Sequence, residues 1–227
     1  MNFYDLNLGP LGGLKPDAVI LAEGEFPTHE IPLKILRDVA PHLVVCDGAI
    51  RNFMKFNGRT VDCVVGDGDS LPKDIQEIFE FPHLHLEEQE TNDLTKSVRY
   101  CLANGWKRIV ILGATGRRED HSIGNIFLLP TYLNMGAEVI MMSNRGIFIP
   151  FTGEFTLTLP VGSQVSFFSI DHTPMTCEDV LYPFKDRVFR ELWEATLNQT
   201  VAPVVKISTT GRGLIYATAE IKPLKKN

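Results

Sequence analysis

Three short polar runs in this 227-residue chain each follow an apolar run directly, and their residue types suit phosphate and metal chemistry. Asp47-Gly48 follows LVVC at 43–46, GDGDS at 66–70 follows VDCVV, and GATGRREDH at 113–121 follows RIVIL. In GDGDS, Asp67 and Asp69 stand two apart, so in an extended loop both carboxylates face one side. Two bare carboxylates about 4 Å apart repel by roughly 4 kcal/mol at an intermediate effective dielectric. A hard divalent cation cancels that cost, and Mg²⁺ is commonly held by one or two carboxylates plus substrate phosphates. Surface turns use the same residue types. Placement straight after a buried strand favours the metal, because ligands of open parallel sheets bind beyond the carboxyl ends of strands.

The third run reads as a glycine-rich phosphate cradle opening a helix, where backbone N–H groups and the positive helix end favour an anion. Gly116 supplies the turn, Arg117 or Arg118 can clamp a phosphate bidentately, and Asp120 and His121 follow at once. The run has neither the Gly-Lys-Ser/Thr of a P-loop nor the spacing of a dinucleotide fingerprint. A fourth segment, ETNDLTK at 90–96, reads as a helix start with Thr91 or Asn92 as cap and Asp93 in the first turn. Asp93 suits the helix dipole and equally a cation; Lys96 shares its face and can reach phosphate.

The elements that must hold these runs alternate in period. Continuous apolar runs at 17–23, 43–47, 61–65, 108–112 and 139–142 read as strands, with a brief further segment at 83–86. Helical stretches fall at 31–39, 49–56, 73–80, 92–103 and 120–134, the last kinked or interrupted by Pro130. This order predicts a mostly parallel, Rossmann-like sheet with helices on both faces. From 146 onward, strand-like runs at 146–151, 154–159, 164–170, 204–208 and 214–221 are separated by turn residues, which predicts a smaller antiparallel β-sandwich. The expected division is residues 1–144 and 145–227.

Composition narrows the function classes. Acidic residues number 28 against 22 basic, and no basic run interleaves with aromatics, so no nucleic-acid partner is expected. Cys46, Cys63, Cys101 and Cys177 form no CxxC pair and read as reduced, structural thiols. Without a leader or an apolar run of spanning length, the expectation is a cytoplasmic protein with no membrane contact.

Taken together, CDGA at 46–49, GDGDS at 66–70, NDLTK at 92–96 and GRREDH through Asn125 resemble, in order and spacing, the motifs of the thiamine pyrophosphokinases. The resemblance covers most of the chain, since that family also carries a β-rich second domain. It implies transfer of a pyrophosphoryl group from ATP to thiamine, giving thiamine diphosphate and AMP, with Mg²⁺ and a homodimer that holds thiamine at the subunit interface. Asp67, Asp69 and Asp93 would hold the metal. Asp69, Asp93, Lys96, Arg118 and Asp120 would form the transfer site, and Asp47, Gly48, Gly116, Arg117, Arg118, His121 and Asn125 the nucleotide site. In the second domain, Asn198 and Tyr216 look like counterparts of the family's vitamin-binding residues. Three positions depart from the pattern: Asn92 replaces a usual Thr, Arg117 a usual second Gly, and Leu197 a usual Ser. Competing readings are a pyrophosphokinase for another alcohol such as a pterin, a glycosyltransferase using its Asp pair under a sugar nucleotide, and a non-catalytic nucleotide-sensing module.

Overall fold

The computed structural model describes residues 15–56, 59–69, 81–86 and 88–221, which fall into two compact units divided between Asn144 and Arg145. Ser70 and the helix expected at 73–80 lie outside the described residues.

The unit that begins at Lys15 is a parallel sheet. Its strands are β1 (Ala18–Leu21), β2 (His42–Cys46), β3 (Cys63–Gly66), β4 (His83–His85), β5 (Arg108–Leu112) and β6 (Glu138–Met142), in the order β6-β5-β1-β2-β3-β4. Every pairing within this set is parallel. All four residues of β1 are buried, as are Leu43 to Cys46 and Ile109 to Leu112. Strands apolar on both sides need cover on both faces, and each fully buried Ile, Leu or Val contributes about 1.5–3 kcal/mol.

The helices are α1 (Glu30–Lys34), α2 (Ile50–Phe56), α3 (Asp93–Ala103) and α4 (Glu119–Asn134). The helix expected at 31–39 is α1 running into a π-turn over Ile35–Val39, and a 3₁₀ turn, Asp47–Ala49, leads into α2. Asn92 caps α3, accepting from Thr95 N at 3.0 Å, and Leu94, Val98 and Cys101 are buried along that helix. Of the two outcomes expected at Pro130, an interruption is not seen: α4 runs on through it. Proline inside a helix costs about 3 kcal/mol, and the burial of Leu129, Pro130 and Tyr132 on that turn offsets it.

From β1 the chain lays down β2, β3 and β4 on one side, then returns to place β5 and β6 on the other. The loops leaving β1 and β5 therefore diverge, and such a switch point opens a crevice at the carboxyl edge.

The unit from Arg145 is antiparallel. It comprises β7 (Gly146–Thr158), β8 (Ser163–Ser169), β9 (Pro174–Cys177), β10 (Phe184–Val188), β11 (Asn198–Gln199) and β12 (Val204–Ile221). β12 pairs with β7 along most of its length; its other side meets β9 at Ser208–Thr209 and β8 from Gly213 onward. β10 extends β9, and β11 extends β8. β7 and β12 are each one long strand where two were expected. Gly153, at φ +66°, sits opposite the register shift between Thr209 and Arg212, so the glycines expected to end strands instead bend two paired strands together. Gly213 faces Phe151: a Cβ there would lie 2.3 Å from the ring. Phe167, Phe184 and Phe189 make successive edge contacts at 5.5 and 5.0 Å in the core.

Candidate active site

The carboxyl ends of β2 and β3 build an acidic centre. Asp47, only 1% exposed, accepts from Gly48 N at 2.6 Å and Gly68 N at 3.1 Å. It lies flat against Gly66, where a Cβ would come 2.3 Å from the carboxylate carbon, so glycine is required for the two loops to meet. Asp67 accepts from Asp69 N and from Gln89 Nε2, both at 3.1 Å, while the Asp69 side chain is exposed. Lys96 is buried in the first turns of α3; its Nζ donates to Leu86 O at 3.1 Å and to Asp93 Oδ1 at 3.2 Å. That ammonium pins the approach to α3 onto Asp93.

The two loop aspartates are shifted in opposite directions. Burial pushes the Asp47 carboxyl up to about 6, and the charges of Asp93 and, less, Asp67 add to the rise. The hydrogen bond from Gln89, with that from Asp69 N, holds Asp67 below the usual carboxylate range. Asp47 thus feels the charges of Asp93 and Asp67, which come from two other loops. Among the described residues no three His, Cys, Asp or Glu side chains are gathered as a closed metal cage. Mg²⁺ needs only one or two carboxylates, with waters and phosphates completing its shell, and the carboxylates of Asp67, Asp69 and Asp93 are hard oxygen donors of the kind such an ion takes.

At the switch point lies a pocket of about 270 Å³, lined by the β1 loop (Glu23, Gly24), the β5 loop (Ala114, Thr115, Arg117, Arg118) and the first turns of α4 (His121, Ser122, Asn125). Ser122 Oγ accepts from Gly116 N at 3.2 Å, and Gly116, at φ +90°, turns the chain over Glu25. Both arginines are ion-paired: Arg117 with Glu23 at 3.3 Å and Arg118 with Asp120 at 2.5 Å, all four side chains at least half exposed. The Arg118 guanidinium holds the Asp120 carboxyl down at about 2. Gly48 passes beneath Glu23, whose half-exposed carboxylate would have to swing aside for any side chain there.

A relay of hydrogen bonds joins pocket and acidic centre. Asn125 Nδ2 donates to Ala114 O at 2.9 Å, and Asn92 Nδ2 donates to Asn125 Oδ1 at 3.0 Å. Thr95 Oγ1 donates to Asn92 Oδ1 at 2.8 Å, which leaves the buried Tyr132 hydroxyl to donate to Thr95 Oγ1 at 2.8 Å. Asn92, one of the departures from the family pattern, thus caps α3 and also reaches α4.

Sequence reasoning passed over Glu23, Glu25 and Gln89. Glu23 closes the apolar run of β1 and became legible only once strand order put the β1 and β5 loops side by side. In the antiparallel unit, Asn198 is 3% exposed; its amide accepts from Tyr182 N at 3.0 Å and donates to Tyr182 O at 2.8 Å. Those bonds give Asn198 a structural task. Tyr216 is half-buried and contacts Phe148 with ring centres 4.5 Å apart. Leu197 sits at φ +58° and is 78% exposed.

The fold and the loops at its carboxyl edge define an α/β protein of two domains with a nucleotide-type ligand crevice. Family models of the thiamin pyrophosphokinase catalytic domain and substrate-binding domain match residues 33–141 and 146–216. The chain belongs to the thiamin pyrophosphokinase family, whose chemistry is ATP-dependent pyrophosphoryl transfer. It is 27% identical over 146 residues to thiamin pyrophosphokinase 1 of Caenorhabditis elegans, a match covering 61% of this chain and 56% of that protein's length. The crystal structure of the Bacillus subtilis thiamine pyrophosphokinase shares its fold with a TM-score of 0.73 at 17% identity, covering 90% of this chain and 99% of the other. The Candida albicans thiamin pyrophosphokinase gives 0.75 at 15% identity, covering 93% and 92%. No helix among the described residues is long and apolar enough to cross a membrane.

Proposed function

We propose that the chain transfers the β,γ-pyrophosphoryl group of ATP to the hydroxyethyl oxygen of thiamine, giving thiamine diphosphate and AMP. The observation that carries this reading is the joining of two opposite environments at one sheet edge: a three-loop aspartate centre and, at the switch point beside it, an arginine-lined pocket. Asp67, Asp69 and Asp93 would hold Mg²⁺, which when bound supplies charge neutralisation on the transferred phosphates. Arg117, Arg118 and the backbone N–H groups opening α4 bind and orient the anionic chain of the nucleotide. Asp47 positions the Gly66–Asp69 loop through Gly68 N–H, and Lys96 positions Asp93. The thiamine hydroxyl oxygen bonds to the β-phosphorus as the bond from that phosphorus to the oxygen bridging it to the α-phosphate breaks; AMP leaves with the bridging oxygen, and the hydroxyl proton passes to water. Positioning and electrostatics do most of the work in such transfers.

Residues 145–227 would contribute the thiamine site and a homodimer interface; within them Trp193 is 72% exposed and Tyr182 59%, apolar surface suited to either role. The chain would act in the cytoplasm. Incubation with ATP and Mg²⁺, and with thiamine or a hydroxymethylpterin as acceptor, followed by mass identification of products, tests the reading. Thiamine diphosphate plus AMP is expected. ADP plus thiamine monophosphate, product from the pterin alone, or no AMP at all would overturn it.

A further inference from the structure

β4 carries His83-Leu84-His85 at the edge of the parallel sheet, where it pairs with β3. The two-residue period of a strand puts both imidazoles on one face. Both are exposed, with ring centres 5.9 Å apart in an edge-on arrangement. Their inner edges converge on Gly68, whose backbone stands at φ +83°. The point where a Cβ would sit on Gly68 lies 3.2 Å from His85 Nδ1 and 3.7 Å from His83 Cε1, the ring carbon between that imidazole's two nitrogens. The missing side chain therefore leaves a space bordered by both rings and closed beneath by the Asp67-Gly68-Asp69 backbone.

Two imidazoles bound to one tetrahedral ion at about 2.0–2.1 Å per nitrogen hold their ring centres about 5 Å apart, so a small side-chain rotation brings this pair into range. We propose that His83 and His85 form a chelating site for an imidazole-seeking divalent transition metal of the Zn²⁺, Ni²⁺ or Cu²⁺ class, seated against Gly68. Its chemistry is distinct from that of the all-oxygen aspartate centre, which suits a hard cation. Among the described residues no third His, Cys, Asp or Glu is grouped with the two imidazoles, so the chelate rests on the pair alone. An ion seated there braces Gly68, and with it the loop that carries Asp67 and Asp69. The site stands whatever reaction the chain catalyses.

Calorimetric titration of the full chain with Ni²⁺, in excess Mg²⁺ to saturate oxygen-only sites, tests the site directly. One Ni²⁺ per chain is expected. His83→Gln and His85→Gln should each weaken binding by at least the roughly tenfold that even an outer-shell partner is worth, with unchanged circular dichroism to show that both variants fold. Absence of Ni²⁺ binding in the parent chain overturns the proposal. So does unchanged affinity in either variant, because a single imidazole is not a chelate.

Discussion

The acidic centre and the arginine pocket share one sheet edge but are built in opposite ways. In the acidic centre the supporting groups are buried and fixed, Asp47 by two backbone N–H groups and Lys96 by Asp93 and a carbonyl, while the Asp69 side chain is exposed. In the pocket the key groups are exposed and held by one another, Arg117 by Glu23 and Arg118 by Asp120. Exposed pairs of that kind are worth about 0–1 kcal/mol and exchange readily, whereas a buried, hydrogen-bonded charge keeps its geometry. In the proposed reaction the first half would keep Asp47 and Lys96 in place, and the second would trade an internal carboxylate for the nucleotide's anion.

The sharpest way to break this comparison is at the acidic centre. Asp69→Asn changes an exposed side chain and should leave the melting temperature within roughly 2 °C. Mg²⁺-dependent turnover should fall by at least about a hundredfold, the scale of losing one electrostatic contact to a transition state. Near-normal rates would remove Asp69 from the metal site.

A smaller effect tests whether the centre carries built-in charge stress. The Asp47 carboxyl is raised to about 6, by burial first and by Asp93 second, so between about pH 4 and 6 the folded chain keeps a proton that the unfolded chain has released. Stability from this group is therefore complete below about pH 4, declines as pH rises through 6, and is flat beyond. In Asp47→Asn that decline should disappear. The variant loses an acceptor for one loop N–H, about 1 kcal/mol, so the slope with pH is the quantity to read. Its stability relative to the parent should climb by on the order of 2 kcal/mol from pH 4 to 7 in thermal melts. Parallel curves would mean that Asp47 is ionised across the whole range.

The smallest effect belongs to the pocket. Glu23→Gln frees Arg117 from its counter-charge and should tighten ATP binding by roughly two- to fivefold, the worth of an exposed ion pair. Weaker binding would mean that Glu23 itself contacts the nucleotide.

The same contrast marks what could be read from the sequence. The parallel strands were legible because residues such as Val44, Val64 and Ile111 are apolar on both faces of their strands. The turns after β2, β3 and β5 were legible because Asp and Gly crowd directly behind those runs. Glu23 was not, since its part depends on β5 lying beside β1, and strand order is a property of the whole chain. The spacing of Lys96 places it on the Asp93 face and within reach of a phosphate, but does not reveal that its ammonium also donates to Leu86 O. In the antiparallel unit Gly153 and Gly211 looked like strand ends, because a glycine that bends a strand has the same local signature as one that terminates it. β9 to β11 carry too little alternation to stand out before their partners are known.

The eighteen-residue β12 has a consequence for how the second unit is made. Its ladder with β7 runs from Val204↔Thr158 to Thr218↔Gly146, joining residues 204 − 158 = 46 to 218 − 146 = 72 positions apart. Such distant pairings close slowly. On a ribosome, β7, β8 and β9 would emerge with open flanks and wait for the strand that is common to all three, so a nascent chain is at its most aggregation-prone just before that strand appears.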